Sequence, residues 1–250
     1  MIDPRTYLAP ADVLRERVIL VTGAGRGIGR AAALAFAAHG ATVVLHGRDA
    51  DRLAAVYDEI EAAGGPMPAA VPLDFESAGP REFDAAAGAI EQAVGRLDGI
   101  LHSAVHLERL APAETIDFAA WTRLLRVNFM APLALTRSCL HLLKRAPDAA
   151  VVYTSDSHVG APAAYWASVA APKAALMAAM RAQADEWTQH PNLRVNAIVP
   201  GPVASPARAF THPGSSPASL PPPESIMPTY LWLIGPGSRG VSGRIVDCQG

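Results

Sequence analysis

The chain has 250 residues, 50% of them hydrophobic and 18% charged, and 21 Lys+Arg against 23 Asp+Glu leave a formal net charge of -2. A chain this apolar and this nearly neutral is not a disordered one, and it lacks the basic footprint that nucleic acid requires. Two cysteines, Cys139 and Cys248, make neither a disulfide framework nor a cysteine-built zinc site.

Short apolar runs alternate with alanine-rich amphipathic stretches, the pattern of βα units around a parallel sheet. A strand over Val18–Val21 leads through the glycines of 23–29 into a helix over Ile28–His39. A strand over Thr42–His46 and a helix over Ala50–Ala63 follow, then a strand over Ala69–Leu73 and a helix over Phe83–Val94. A fourth strand is predicted at Gly99–His102, a long helix at Trp121–Leu143 and a fifth strand at Ala150–Thr154. Another long helix spans Trp166–Gln189, and the last two strands fall at Arg194–Val199 and Arg244–Asp247. The expected fold is α/β, a doubly wound Rossmann sheet of about seven parallel strands, in one domain over 1–250.

Proline is the compositional oddity. The segment 200–228 holds nine of the 22 prolines, Pro221, Pro222 and Pro223 among them. Proline lacks a backbone donor and fixes φ, so an irregular, lid-like loop is expected there rather than a regular helix. No apolar run approaches the ~20 residues that span a bilayer. Met1 to Arg17 has no apolar centre of the signal-peptide kind, so a cytoplasmic chain with neither membrane nor nucleic acid as partner is expected.

The sharpest motif is Thr22-Gly-Ala-Gly-Arg-Gly-Ile-Gly29, with glycines at 23, 25, 27 and 29 between a strand and a helix. Glycine permits the tight turn and lets the backbone approach a pyrophosphate, which the helix N-terminus then holds with free N–H groups. Gly23, Arg26, Gly27, Ile28 and Gly29 are therefore candidate dinucleotide contacts. The second strand ends His46-Gly47-Arg48, and the nearest acid, Asp49, comes too late for a ribose 2′-hydroxyl. Arg26 and Arg48 suit a 2′-phosphate instead, so NADP(H) is favoured over NAD(H).

These residues resemble the short-chain dehydrogenase/reductase family. Thr22-Gly23-x-x-x-Gly27-Ile28-Gly29 matches its cofactor motif, and Leu73-Asp74 is similar to its acidic position beside the adenine. Asn128 falls on its helix asparagine, and Arg194-Val-Asn-Ala-Ile-Val-Pro-Gly201 fits its C-terminal half. The resemblance implies further cofactor contacts at Asp74, Ser103, Ala104, Lys173, Pro200 and Gly201, and catalytic positions at Asn128, Asp156, Val169 and Lys173. It also implies a dimer or tetramer.

The chemistry departs from that family. Its engine pairs a tyrosine with a lysine four residues later, adjacent on one helix face, so that the ammonium lowers the phenol's pKa. Four residues before Lys173 stands Val169, which has no proton to transfer. The family's serine position falls on Asp156, where an ionised carboxylate would oppose a forming alkoxide; a one-residue slip would restore Ser155 or Ser157. Val105 stands where the family has glycine under the cofactor. Without its positioned acid, such an enzyme forfeits about 10²–10⁴ in rate.

Three readings follow. The chain is an impaired member, or the silent partner of an active homologous subunit. Alternatively it is an active NADP(H)-dependent carbonyl or alcohol oxidoreductase with another acid, such as Asp156 or a histidine, with Tyr165 a distant substitute. Alternatively it is an NADP(H) sensor. Asp156 is expected to approach Lys173 as an ion pair. His102, His106 and His158 near Glu108 lack zinc-like spacing and read as hydrogen-bonded histidines at the pocket mouth. The stripe Leu125, Phe129, Leu133, Thr136 and Leu140 reads as core or subunit interface.

Overall fold

The structure, a computed structural model, describes residues 3–249. Seven parallel strands form one sheet: β1 Val18–Thr22, β2 Thr42–Gly47, β3 Ala69–Pro72, β4 Gly99–His102, β5 Ala149–Thr154, β6 Leu193–Val199 and β7 Ile245–Asp247. Their spatial order is β3-β2-β1-β4-β5-β6-β7, so the winding reverses between β1 and β4. Such a switch point leaves a crevice at the carboxyl ends of the strands.

Because helices cover both faces, the central strands are buried on both sides and read as continuous Val/Ile/Leu runs. Alternate residues go to opposite faces. Ile19, Val21, Val43, Leu45, Val152 and Ile198 pack on one side with α1 (Gly27–Ala38), α2 (Ala50–Ala62) and the short apolar helix 227–234. Val18, Leu20, Val44, Ile100, Val151 and Val195 face the other layer. That layer holds α3 (Pro80–Val94), α4 (Phe118–Leu125), α5 (Ala131–Arg145) and α6 (Ala167–Glu186). Cys139 and Cys248 are free and buried.

Two predicted elements differ. The helix expected over Trp121–Leu143 is broken into α4, a π turn over Arg126–Met130 and α5. Pro132 is the reason: it has no N–H for residue 128, and its ring would meet that carbonyl. One extra residue widens the turn, and Ala131 N–H donates to Arg126 O instead. The proline-rich segment is also more ordered than expected, with a six-residue helix α7 at Pro206–Thr211. Pro206 occupies its first turn, where a missing donor costs nothing, and Ser205 Oγ accepts from Arg208 N at 3.2 Å. α8 (Met227–Ile234) follows. By contrast, Pro172 lies inside α6 without interrupting it. Among the described residues no helix is long and apolar enough to cross a membrane.

Candidate active site

A cavity of about 620 Å³ opens at the carboxyl end of the sheet. One end is the β1–α1 turn. Gly23 and Gly27 hold φ of 69° and 56°, the left-handed region that glycine tolerates. A Cβ on Gly23 would sit 2.9 Å from the Ala104 backbone, and one on Gly29 only 2.2 Å from Gly23 O. Thr22 Oγ1 completes the clamp, accepting from Ser103 N at 3.0 Å and Ala104 N at 3.1 Å. Gly29→Ala is accordingly expected to lower stability by about 1–3 kcal/mol, because a backbone oxygen cannot yield as a side chain would. Gly88→Ala, in α3 with open space around it, is expected to raise stability by about 0.5–1 kcal/mol. Thermal melts of the two variants check the contrast.

No side chain caps the N-terminus of α1, so its first-turn N–H groups are open to the cavity. Arg26 and Arg48 border the cavity, exposed and without an ion-pair partner among the described residues. Asp49 is engaged elsewhere. It caps α2, accepting from Arg52 N at 3.2 Å, and pairs with Arg52 Nε at 2.9 Å. Beneath lies His46, buried and stacked on Phe75 with ring centroids 4.4 Å apart; burial pushes its pKa down to about 4. Asp74, Ser103, Ala104, Lys173, Pro200 and Gly201 all border the same cavity. A glycine-walled cradle, an uncapped helix start and two free guanidiniums fit a phosphorylated dinucleotide.

The far end belongs to β5 and α6. Lys173 is 5% exposed and its Nζ donates to Thr154 O at 2.7 Å. Burial lowers its pKa to about 8, with the charge of Asp156 acting in the opposite direction. Val169, one turn earlier, is 5% exposed and faces the same cavity. The expected ion pair between Asp156 and Lys173 is absent. Asp156 starts a short turn over Ser157–Val159, and its Oδ1 accepts from His158 N at 2.9 Å and His158 Nδ1 at 2.6 Å. Contacts two residues away hold the carboxylate locally, before a lysine on another element can compete. Ser155, a residue of the cavity lining, has its Oγ buried without a hydrogen-bond partner among the described residues.

Four other expectations can be set against the geometry. Asn128 does not border the cavity: it sits in the π turn, accepting from His106 N at 2.8 Å and donating to His106 O at 2.8 Å. It positions the loop after β4. His102 is not at the pocket mouth but buried, hydrogen-bonded to Thr136 Oγ1 at 2.8 Å and stacked on Tyr153, with burial driving its pKa down to about 3. Tyr165 lies before α6 begins, 57% exposed and away from the cavity, so helical spacing from Lys173 does not apply to it. The segment 200–228 is a wall in part: Pro200 to Val203 and Ser205 to His212, apart from Ala209, border the cavity.

Sequence reasoning overlooked Thr22, His46, Phe75 and Trp166 as parts of this site. Thr22 was visible inside the glycine motif, whereas the others carry no local signal. His106 and Glu108 are indeed hydrogen-bonded, at 3.0 Å, and no cluster of three metal-ligating side chains occurs among the described residues.

Comparison with known proteins places the architecture. The family model for short chain dehydrogenases matches residues 17–214. The uncharacterized oxidoreductase YciK of Escherichia coli strain K12 is 38% identical over 243 residues, 97% of this chain and 96% of that protein. The crystal structure of a short chain dehydrogenase from Shigella flexneri superposes with a TM-score of 0.96 at 37% identity, covering 99% of this chain and 96% of that one. A protein from Escherichia coli CFT073 assigned to the short chain dehydrogenases, and complexed with NADPH, gives a TM-score of 0.93 at 38% identity over 97% and 100% of the two chains.

Proposed function

This chain belongs to the short chain dehydrogenase family, and from that premise we propose that it binds NADP(H) but has lost the tyrosine-driven step of carbonyl–alcohol interconversion. The observation that carries this reading is Val169, buried beside the cavity one helical turn before a retained Lys173. When bound, the dinucleotide supplies or accepts hydride. The chain's own residues do the rest. The turn 23–29 and the N-terminus of α1 hold the phosphates, while Arg26 and Arg48 meet the 2′-phosphate. Ser103, Ala104, Pro200, Gly201 and Lys173 border the other end. Gln249 secures that wall, donating from Nε2 to Pro200 O at 3.0 Å and Pro202 O at 3.1 Å.

What is missing is the proton donor. Val169 offers none, and Lys173 has no phenol to tune; its ammonium turns back to a backbone carbonyl. A tyrosine-dependent relative loses about 10²–10⁴ in rate from that change alone. The NADPH complex of a relative supports the choice of dinucleotide, as do the unpaired arginines and the engaged Asp49.

Fluorescence titration tests the binding half. The double variant Arg26→Ala/Arg48→Ala is expected to weaken NADPH about tenfold or more and to leave NADH nearly unchanged, since a charge-assisted hydrogen bond contributes about 1.5–3 kcal/mol. Equal losses for both nucleotides, or NADH held as tightly as NADPH by the natural chain, would refute the 2′-phosphate site.

A further inference from the structure

The geometry points to His158, oriented by Asp156, as the proton donor for whatever carbonyl reduction this pocket still supports. The inference rests on NADP(H) occupying the glycine-lined end, as proposed above, and names the group that takes over from the missing phenol.

The pair is built rather than incidental. Asp156 Oδ1 accepts twice from residue 158, from its backbone N at 2.9 Å and from its ring Nδ1 at 2.6 Å. A carboxylate can only accept, so Nδ1 is committed as a donor and Nε2 is the nitrogen left to exchange protons. Nε2 makes no hydrogen bond among the described residues and is not one of the fully buried unpaired atoms, and His158 borders the cavity. The ring plane is fixed as well. It stacks on Trp166 with centroids 3.5 Å apart and 7° between planes, and Trp166 meets His212 of the lid segment at 5.2 Å. An imidazole beside a cavity, with one nitrogen held by a carboxylate and the other unbonded, is the arrangement of a general acid–base group.

Asp156 is thereby assigned a positioning role. Its Oδ1 is occupied as an acceptor, which answers why a carboxylate stands where the fold family has an alcohol. Val169, smaller than a tyrosine, borders the same cavity as His158. In the step itself, hydride from the reduced dinucleotide enters the carbonyl carbon and the C=O π bond opens. The substrate oxygen then takes the proton of His158 Nε2–H. The dinucleotide is oxidised, the carbonyl is reduced to an alcohol, and neutral His158 regains its proton from solvent.

The titratable groups acting on this ring are Asp156 on its own turn and His212 on the lid segment; Lys173 on α6 acts on Asp156, and Arg208 acts on His212. Isatin, an activated dicarbonyl, serves as probe with NADPH. His158→Phe, which keeps a stacked ring, is expected to lower isatin reduction about 10²-fold or more while NADPH affinity stays within twofold. Asp156→Asn lowers kcat with KM unchanged.

A readout independent of turnover is the ring itself. In 15N-histidine spectra at pH 8.5, His158 is expected with its proton on Nδ1, shifting toward Nε2 in Asp156→Asn. The inference is overturned by an Nε2-protonated ring in the natural chain, by bound NADPH with no isatin reduction, or by His158→Phe at the natural rate. Failure of NADPH to bind strikes the proposed function instead, and the ring tautomer then decides the fate of the pair.

Discussion

Val169→Tyr combined with Asp156→Ser is expected to raise NADPH-dependent isatin reduction by about 10²–10⁴-fold. The helix already supplies the partner. Lys173 stands four residues on, buried at the border of the cavity, with a pKa lowered to about 8 by that burial. A phenol at position 169 would project from the same helix face, next to an ammonium that stabilises its ionised form. The cavity that Val169 borders has room for the ring, so the change fills space rather than overpacking a core.

Asp156→Ser supplies a hydroxyl donor beside the new phenol and releases His158, so in the double variant the phenol replaces the imidazole as the acid. Because such residues act as a unit, the two effects are not additive, and Val169→Tyr alone is expected to carry the larger part. Steady-state rates at saturating NADPH measure the gain. If the double variant folds, binds NADPH and shows no gain, more than the catalytic residues has been lost.

Asp148→Ala is expected to cost about 3–5 kcal/mol of stability at pH 7, a far larger penalty than truncating a surface acid. Asp148 is almost buried at the amino end of β5, where it joins two chain-distant arginines. Its Oδ2 accepts from Arg17 Nη1 at 2.6 Å, and its Oδ1 accepts from Arg194 Nη1. The same guanidiniums hold backbone carbonyls: Arg17 bonds Asp98 O and Ile234 O, and Arg194 bonds Gly235 O. Removing the carboxylate strands two buried cations that stitch β1, β5, β6 and the end of α8 together.

Burial by itself would raise the pKa of Asp148, but the charges of Arg194 and Arg17 outweigh it and hold the group below its ordinary value. A carboxylate depressed in the folded state stabilises above its unfolded pKa, about 3.9, and that contribution fades as pH falls through the folded value. Denaturant titrations should therefore show the gap between natural chain and variant widest at neutral pH and narrowing below about pH 4. A gap under 1 kcal/mol at pH 7 would contradict the network's role.

Much of this molecule was legible before folding was considered. Strands buried on both faces write themselves as Val-Ile-Leu runs, as at 18–21 and 151–152, and amphipathic helices repeat at 3.6 residues. Both signals are local and survive in the bare letters. The glycines at 23, 27 and 29 were equally plain, because only a residue without Cβ fits a turn in which 2.2 Å separates that atom's place from a carbonyl oxygen. The spacing of Val169 and Lys173 needed only helix geometry.

Partner choice was not legible. Asp156 has both Lys173 and His158 within its neighbourhood, and the nearer backbone turn won because it closes over two residues rather than across the fold. Asn128 shares a helix with the predicted core stripe, yet the π turn forced by Pro132 sends it to the backbone of His106. His102 ended in the interior because β4 carries it into a buried layer under Tyr153. Sequence alone therefore determined the architecture, the glycine turn after β1 and the valine four residues before Lys173, since each depends on the spacing of residues along one segment. Tertiary structure decided which side chain stands ready to give a proton, because that depends on which loops converge at the end of the sheet.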